Sequence, residues 1–124
     1  MNELSKELVA SSLAPMVLMI LRGQENYGYE IIQQLRTQTG GHLTVAEGTL
    51  YPVLKKMEAK GWIEGEWKKS ETGRERRYYT LTDCGKQELE QQYSQWHFIN
   101  EIIHKLWHQP ISTSNTLSMR TFQA

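Results

Sequence analysis

The sequence predicts a mainly α-helical protein with one small β-hairpin, an α+β fold. Apolar residues recur at helical spacing along four stretches of the 124-residue chain, which indicates four helices with one buried face each. Between the last two stretches, residues 62–69 alternate large and charged side chains. They are followed by the turn Ser70–Gly73 and a second strand-like run over residues 74–81.

The composition indicates one domain with a C-terminal appendage. No run approaches the roughly 20 apolar residues of a membrane span. The first residues lack the basic start and apolar block of a signal peptide. Cys84 is the single cysteine, so it has no internal disulfide partner, as in a reducing compartment. We therefore expect a cytoplasmic protein without a membrane partner.

The first predicted helix covers residues 5–22. Its core-facing stripe is Leu13, Met16, Val17, Ile20 and Leu21. Pro15 is expected to kink this helix and to free the carbonyl of Ser11. Three apolar residues lie one or two turns before the proline, far from the rest of the stripe, and are predicted to pack on another subunit: Leu4, Leu8 and Val9.

The second predicted helix opens at Tyr27-Gly28-Tyr29 and runs to about Gln38. Its inward residues are predicted to be Tyr29, Ile32 and Leu35. Glycines 40 and 41 end it, and His42 and Leu43 are predicted to form a short edge strand.

The third predicted helix is the one around which the chain is organised. Its buried stripe is Leu50, Val53, Leu54 and Met57, and a face the core does not need carries Thr49, Tyr51, Lys55 and Lys56. Thr44 and Glu47 have the spacing of a capping box, and Gly61 stands where a left-handed helix stop is expected. Pro52 leaves two alternatives. Either the regular helix starts near Gly48 or Thr49, or it starts after Thr44 and bends at Gly48–Pro52.

The hairpin that follows is basic at its tip. Residues 55–77 hold eight Lys and Arg against five Glu, although the whole chain has no net charge. Two helices followed by a basic hairpin are typical of a winged helix-turn-helix, here residues 1–81, with the third helix as the recognition helix and the hairpin as the wing. The residues predicted to contact double-stranded DNA are Tyr29, Thr49, Tyr51, Lys55, Lys56, Lys69, Arg74, Arg76 and Arg77.

The fourth predicted helix covers residues 82–108, begins at a Thr82 cap and keeps an apolar stripe for nearly five turns. The winged helix is complete without it, so such a stripe requires a partner, and we predict a homodimer. The predicted interface residues are Leu89, Ile99, Ile103 and Leu106. Two-fold symmetry then implies a pseudo-palindromic operator. Residues 109–124 are rich in Ser, Thr and Asn and are predicted to be a flexible tail.

Three segments resemble the PadR family of bacterial transcriptional regulators: Tyr27-Gly28-Tyr29, residues 48–63 (G-T-L-Y-P-V-L-K-K-M-E-A-K-G-W-I) and residues 73–85 (G-R-E-R-R-Y-Y-T-L-T-D-C-G). The single C-terminal helix is similar to the small subfamily that includes multidrug-sensing repressors of lactic acid bacteria. The resemblance implies a planar hydrophobic effector on Trp96 at the dimer centre. It also implies that the site is completed by Leu8, Ser11, Pro15, Tyr93, His97 and Asn100. Other members sense phenolic acids, so both effector classes stay open.

Other classes of function have less support in the sequence. An enzyme is not expected, because there is no glycine-rich phosphate loop, nucleophile motif or H-E-x-x-H segment, and no cofactor is implied. A winged-helix assembly module would not need the basic tip. A metal-responsive regulator remains an alternative because helical spacing places four possible ligands on one face, namely His97, Glu101, His104 and His108. That face is otherwise simply solvated.

Overall fold

The computed structural model describes residues 4–111 and confirms the α+β fold class. Four helices and three strands are present: α1 Lys6–Gly23, β1 Asn26–Tyr27, α2 Gly28–Gln38, α3 Glu47–Ala59, β2 Ile63–Lys69, β3 Glu75–Leu81 and α4 Asp83–Trp107. The predicted tail lies outside the described residues from residue 112 onwards. No helix in the described range is long and apolar enough to cross a bilayer.

The chain divides into two compact units, residues 1–93 and 94–124. The first contains the winged helix-turn-helix and the beginning of α4. Its core draws on α1, α2, α3 and the sheet, and its largest fully buried side chains are Leu13, Leu18, Ile31, Leu50, Leu54, Met57 and Ile63. The second contains the rest of α4, whose side chains are exposed in the single chain.

The sheet is antiparallel with the order β1-β3-β2, and its edge strand is not the one expected. Asn26 and Tyr27 pair with Tyr79 and Tyr78, whereas His42 and Leu43 form no strand, so that prediction was wrong. Leu43 is instead buried in the core, and its backbone N–H donates to Thr39 Oγ1 at 2.9 Å. Burial of its side chain and use of its N–H hold this segment away from the sheet.

The inner face of α2 also differs from the prediction. Ile31, Ile32 and Leu35 are buried, whereas the Tyr29 side chain is 55% exposed. Tyr29 was therefore wrongly assigned to the core. Because α2 begins at Gly28, Tyr29 lies in its first turn, and the adjacent isoleucine pair supplies the apolar surface instead.

The start of α3 follows neither of the two alternatives for Pro52. The helix begins at Glu47, and Pro52 lies inside it, in the second turn, on the exposed side. Ala46 is the N-cap and provides no side-chain hydrogen bond, so the predicted Thr44–Glu47 capping box was wrong. Val45 is buried in the core, and Ala46 is extended, so the helix starts too late for Thr44 to cap it. Likewise, α1 continues through Pro15.

Local signals at the hairpin and at α4 are confirmed. Gly61 and Gly73 have φ values of 78° and 84°, the left-handed conformation that glycine adopts without a Cβ clash. Thr82 Oγ1 accepts the N–H of Gly85 at 2.9 Å and donates to the Gly61 carbonyl at 2.6 Å. The cap of α4 is therefore joined to the end of the α3–β2 connection.

Candidate nucleic-acid interface

The outward face of α3 presents hydroxyl and ammonium groups to solvent. Thr49, Tyr51, Lys55 and Lys56 are all exposed, because Leu50, Leu54 and Met57 take the buried side of the same helix. Exposed donors of this kind on the second helix of a helix-turn-helix are suited to phosphate oxygens and to base edges in a major groove.

The wing tip supplies a second group of cations. Lys69 and Arg74 are exposed at the ends of the two strands. The Ser70 N–H donates to the Arg74 carbonyl at 2.8 Å and closes the turn between them. Arg76 is half-buried, and its guanidinium carbon lies 4.2 Å from the centre of the Tyr27 ring. The tip therefore combines two freely exposed cations with one held over an aromatic ring.

Arg77 does not belong with these cations. Its Nη2 donates to Glu58 Oε2 in the last turn of α3, and this ion pair is short. The Glu58 carboxylate raises the pKa of Arg77. Because its charge is already matched within the chain, we remove Arg77 from the predicted DNA contacts. Lys68, at the other edge of the wing, donates to Glu25 at 2.6 Å and is likewise matched.

A cleft of about 680 Å³ lies between α2, the start of α3 and the wing. It is lined mainly by aromatic rings and arginines, including Tyr29, Tyr51, Trp67, Arg74 and Arg76. The Tyr51 ring lies against Gly28, where a Cβ would come within 2.7 Å of the phenolic oxygen. Tyr29 and Tyr51, which were predicted as DNA contacts, are thereby brought together with two of the predicted wing cations.

The phenols in this cleft remain hydrogen-bond donors at neutral pH. Burial, with a smaller contribution from the Glu47 carboxylate, raises the pKa of Tyr51 above its usual value. Burial also raises the pKa of Tyr79, although the neighbouring Arg77 guanidinium opposes the rise. A protonated Tyr51 hydroxyl can therefore donate to an acceptor such as a phosphate oxygen.

The second unit exposes a continuous set of large apolar side chains. On α4 beyond residue 93 these are Trp96, Phe98, Ile99, Ile102, Ile103, Leu106 and Trp107. Leu89 differs from the other predicted interface residues, since it is only 6% exposed and packs in the core of the first unit. Its surface is already used within one chain, so we leave it out of the interface.

The predicted effector residues fall in both units. Leu8, Ser11, Pro15 and Tyr93 belong to the first, and Trp96, His97 and Asn100 belong to the second. Leu8 and Trp96 are exposed, and Ser11 Oγ donates to the Leu8 carbonyl at 3.1 Å. Pro15 is buried among the inward residues of α1. A buried side chain offers a ligand little surface, so we remove Pro15 from the set.

The alternative of a metal site is not supported in residues 4–111. His97 Nε2 lies 3.7 Å from Glu101 Oε2, and the rings of His104 and His108 stack with centroids 5.7 Å apart. Within the described range, no three His, Cys, Asp or Glu side chains are grouped so that they could hold an ion. Helical spacing placed these residues on one face without bringing them to a common point.

Sequence reasoning missed Glu58, Gly65 and Glu25 as parts of this surface. A carboxylate near the end of a lysine-rich helix and a glycine within a strand are individually unremarkable. The five wing cations also look equivalent in sequence, and only their partners in space separate Lys68 and Arg77 from the other three.

Residues 17–91 match the family model described as the transcriptional regulator PadR-like family. An uncharacterized protein of Lysinibacillus sphaericus is 31% identical over 97 residues, which cover 78% of this chain and 89% of that protein. The negative transcriptional regulator PadR of Bacillus subtilis is 37% identical over 73 residues, 59% of this chain and 40% of that longer protein.

A solved structure supports the same relationship. The crystal structure of a PadR-like transcriptional regulator from Bacillus cereus superposes with a TM-score of 0.74 at 31% identity, covering 85% of this chain and all of that one. The family and its named members are transcriptional regulators and not enzymes. This chain belongs to the PadR-like family of transcriptional regulators.

Proposed function

We propose that this chain is a homodimeric repressor that binds a specific DNA operator through α3 and the wing. The observation that carries the proposal is the exposed donor surface formed by Thr49, Lys55 and Lys56 on α3 together with Lys69 and Arg74 at the wing tip. Ordinary solvated lysines would not require a cleft of aromatic donors between the same two elements. A winged helix placed on DNA puts one element in a groove and the other on the flanking backbone.

The dimer is proposed from the apolar surface of α4. Seven large apolar side chains within residues 96–107 are exposed in the single chain, more than a soluble helix normally leaves to water. A second copy would cover them with the same surface. Two recognition helices related by a two-fold axis would then bind half-sites about 34–36 Å apart, or a multiple of that spacing.

Negative regulation is proposed from kinship. The Bacillus subtilis relative is a negative transcriptional regulator, and the chain described here spans 40% of its length. A protein bound to an operator that overlaps a promoter excludes the polymerase by occupancy alone, so no further domain is required for repression.

The effector is proposed to be a planar aromatic or hydrophobic molecule that binds against Trp96 in the dimer. Trp96 is exposed in the single chain. An indole near a two-fold axis would meet its symmetry mate or leave a slot for a flat guest, and a cationic guest would also be attracted to the ring faces. A guest that prefers the dimer state unable to bind DNA shifts the population towards that state and induces transcription.

The DNA surface is tested by removing one cation at a time. Replacing Arg74 or Lys55 with alanine is expected to weaken binding to all DNA sequences and to lower the salt slope by about one unit per residue, because each phosphate contact releases one counterion. Fluorescence anisotropy with a labelled promoter fragment, measured across a salt series, gives both quantities. Lys86→Ala on α4, away from α3 and the wing in sequence, serves as the control.

Unchanged affinity and salt slope in both Arg74→Ala and Lys55→Ala would show that the surface is wrongly assigned. If the parent protein does not shift its own promoter fragment, the winged-helix assembly module becomes the better explanation.

The effector site is tested at Trp96. Replacing it with alanine is expected to weaken binding of a planar aromatic cation such as acridine orange at least about tenfold, because stacking and ring-face attraction are lost on both sides of the dimer axis. Isothermal titration calorimetry without DNA measures this directly and does not depend on tryptophan fluorescence.

The same Trp96→Ala variant should still bind the promoter fragment as a dimer. Parallel loss of dimerisation and DNA binding would instead identify Trp96 as a filler of the dimer core. Parent-like affinity for the dye would remove it from the effector site.

A further inference from the structure

Arg77 is positioned by four groups at the junction of the wing and the recognition helix. It lies on β3, and its guanidinium donates to Glu58, which is 19 residues away in the last turn of α3. The two side chains are only 32% and 30% exposed. The ring centres of Trp67 and Tyr79 lie 6.0 Å and 5.9 Å from its guanidinium carbon. An exposed cation available to DNA would have none of these restraints.

Gly65 provides the space for this arrangement. It lies on β2, paired with Tyr79, and a Cβ at this position would come 2.5 Å from Arg77 Nε and 2.7 Å from its guanidinium carbon. The Arg77 side chain therefore passes across the neighbouring strand where a side chain is missing. Only because residue 65 lacks a Cβ can the guanidinium take this position beside α3.

We propose that the Glu58–Arg77 pair is a positioning link that fixes the wing relative to the recognition helix, so that both elements reach DNA together. This inference rests on the proposed DNA-binding function of α3 and the wing. Arg77 acts through the placement of Lys69 and Arg74 and not by contacting phosphate itself. The Lys68–Glu25 pair joins the wing to the α1–β1 turn and does not involve α3.

The link predicts an effect opposite to that of simple electrostatics. Glu58→Ala removes a negative charge from the proposed DNA-binding side and frees a guanidinium, so charge alone would strengthen DNA binding. A positioning link instead predicts binding roughly 5- to 10-fold weaker, since the wing no longer has a fixed position relative to α3. The hydroxyl-radical footprint should lose protection where the wing lies and keep it where α3 lies.

Gly65→Ala tests the same link without changing any charge. Its Cβ would displace the guanidinium, which is the movable end of a side chain, and so should reproduce the weaker binding and the partial footprint of Glu58→Ala. Glu25→Ala is the matched control, because it removes one carboxylate from an ion pair of the wing that does not reach α3. It should bind DNA as tightly as the parent or more tightly.

Affinities and footprints are compared at one salt concentration, at a temperature where circular dichroism gives each variant the parent's spectrum. Parent-like affinity and footprint in either Glu58→Ala or Gly65→Ala would overturn the link, as would an equal loss in Glu25→Ala. Arg74→Ala separates this failure from failure of the proposed function. If Arg74→Ala weakens binding while Glu58→Ala does not, the DNA surface stands and only the link is wrong.

Discussion

Replacing Ile103 with alanine is expected to destroy the dimer at concentrations where the parent protein is fully associated. Ile103 is 59% exposed in the single chain and lies in the middle of the apolar surface of α4. Truncation of a buried isoleucine costs about 2–5 kcal/mol, and two-fold symmetry counts each loss twice. The dimer dissociation constant should therefore rise by at least about 1,000-fold. Sedimentation equilibrium over a concentration series measures this change.

Lys105→Ala is the matched control for this experiment. It lies two residues further along the same helix, about 200° around its axis from Ile103, and carries a similar change in helix propensity. It should leave association unchanged. The proposal also links folding to association, so thermal unfolding of Ile103→Ala should depend on protein concentration. A variant that stays dimeric like the parent, or that is a stable and fully folded monomer at micromolar concentration, would contradict the proposed interface.

The second large effect is expected at Gly85, where alanine should destabilise the winged-helix unit severely. Gly85 is buried in the first turn of α4, and a Cβ there would overlap the Trp62 carbonyl oxygen and lie 2.8 Å from Leu81 Cδ1. Overpacking costs about 1–3 kcal/mol where side chains can move. Here one of the obstacles is backbone, so we expect the upper end of that range or more.

Thermal unfolding followed by circular dichroism tests this expectation at one fixed protein concentration. The midpoint should fall by about 10 °C or more in Gly85→Ala, given a shift of roughly 4–8 °C per kcal/mol for a unit of this size. Gly48→Ala is the control, since nothing lies within 4 Å of a Cβ at that helical position, and it should be neutral or stabilising. An unchanged midpoint for Gly85→Ala would show that α4 can move away from the α3–β2 connection.

Much of the candidate DNA surface follows from local pattern. Helical spacing placed Leu50, Leu54 and Met57 inside, so the opposite face with Lys55 and Lys56 had to face solvent. Gly61 and Thr82 likewise marked the end of α3 and the start of α4, because a left-handed turn and a hydroxyl cap act between residues close in sequence.

Other features depended on partners distant in sequence. The edge strand formed at Asn26–Tyr27 because Tyr78 and Tyr79 were available to pair with it, and nothing local distinguishes that dipeptide from His42-Leu43. Leu89 continues the apolar stripe of α4, yet the core of the first unit covers it.

The sequence by itself determined the helix faces, the hairpin and the identity of the exposed donors, because these depend on residue spacing and on short-range backbone preferences. Only the tertiary structure decided which cations are free. Arg74 and Arg77 are three residues apart on one returning strand, but Arg77 lies opposite an empty space at Gly65 and within reach of Glu58, whereas Arg74 projects from the turn. Charge pairing depends on distances between side chains from different elements, and those distances exist only once the wing has packed against the recognition helix.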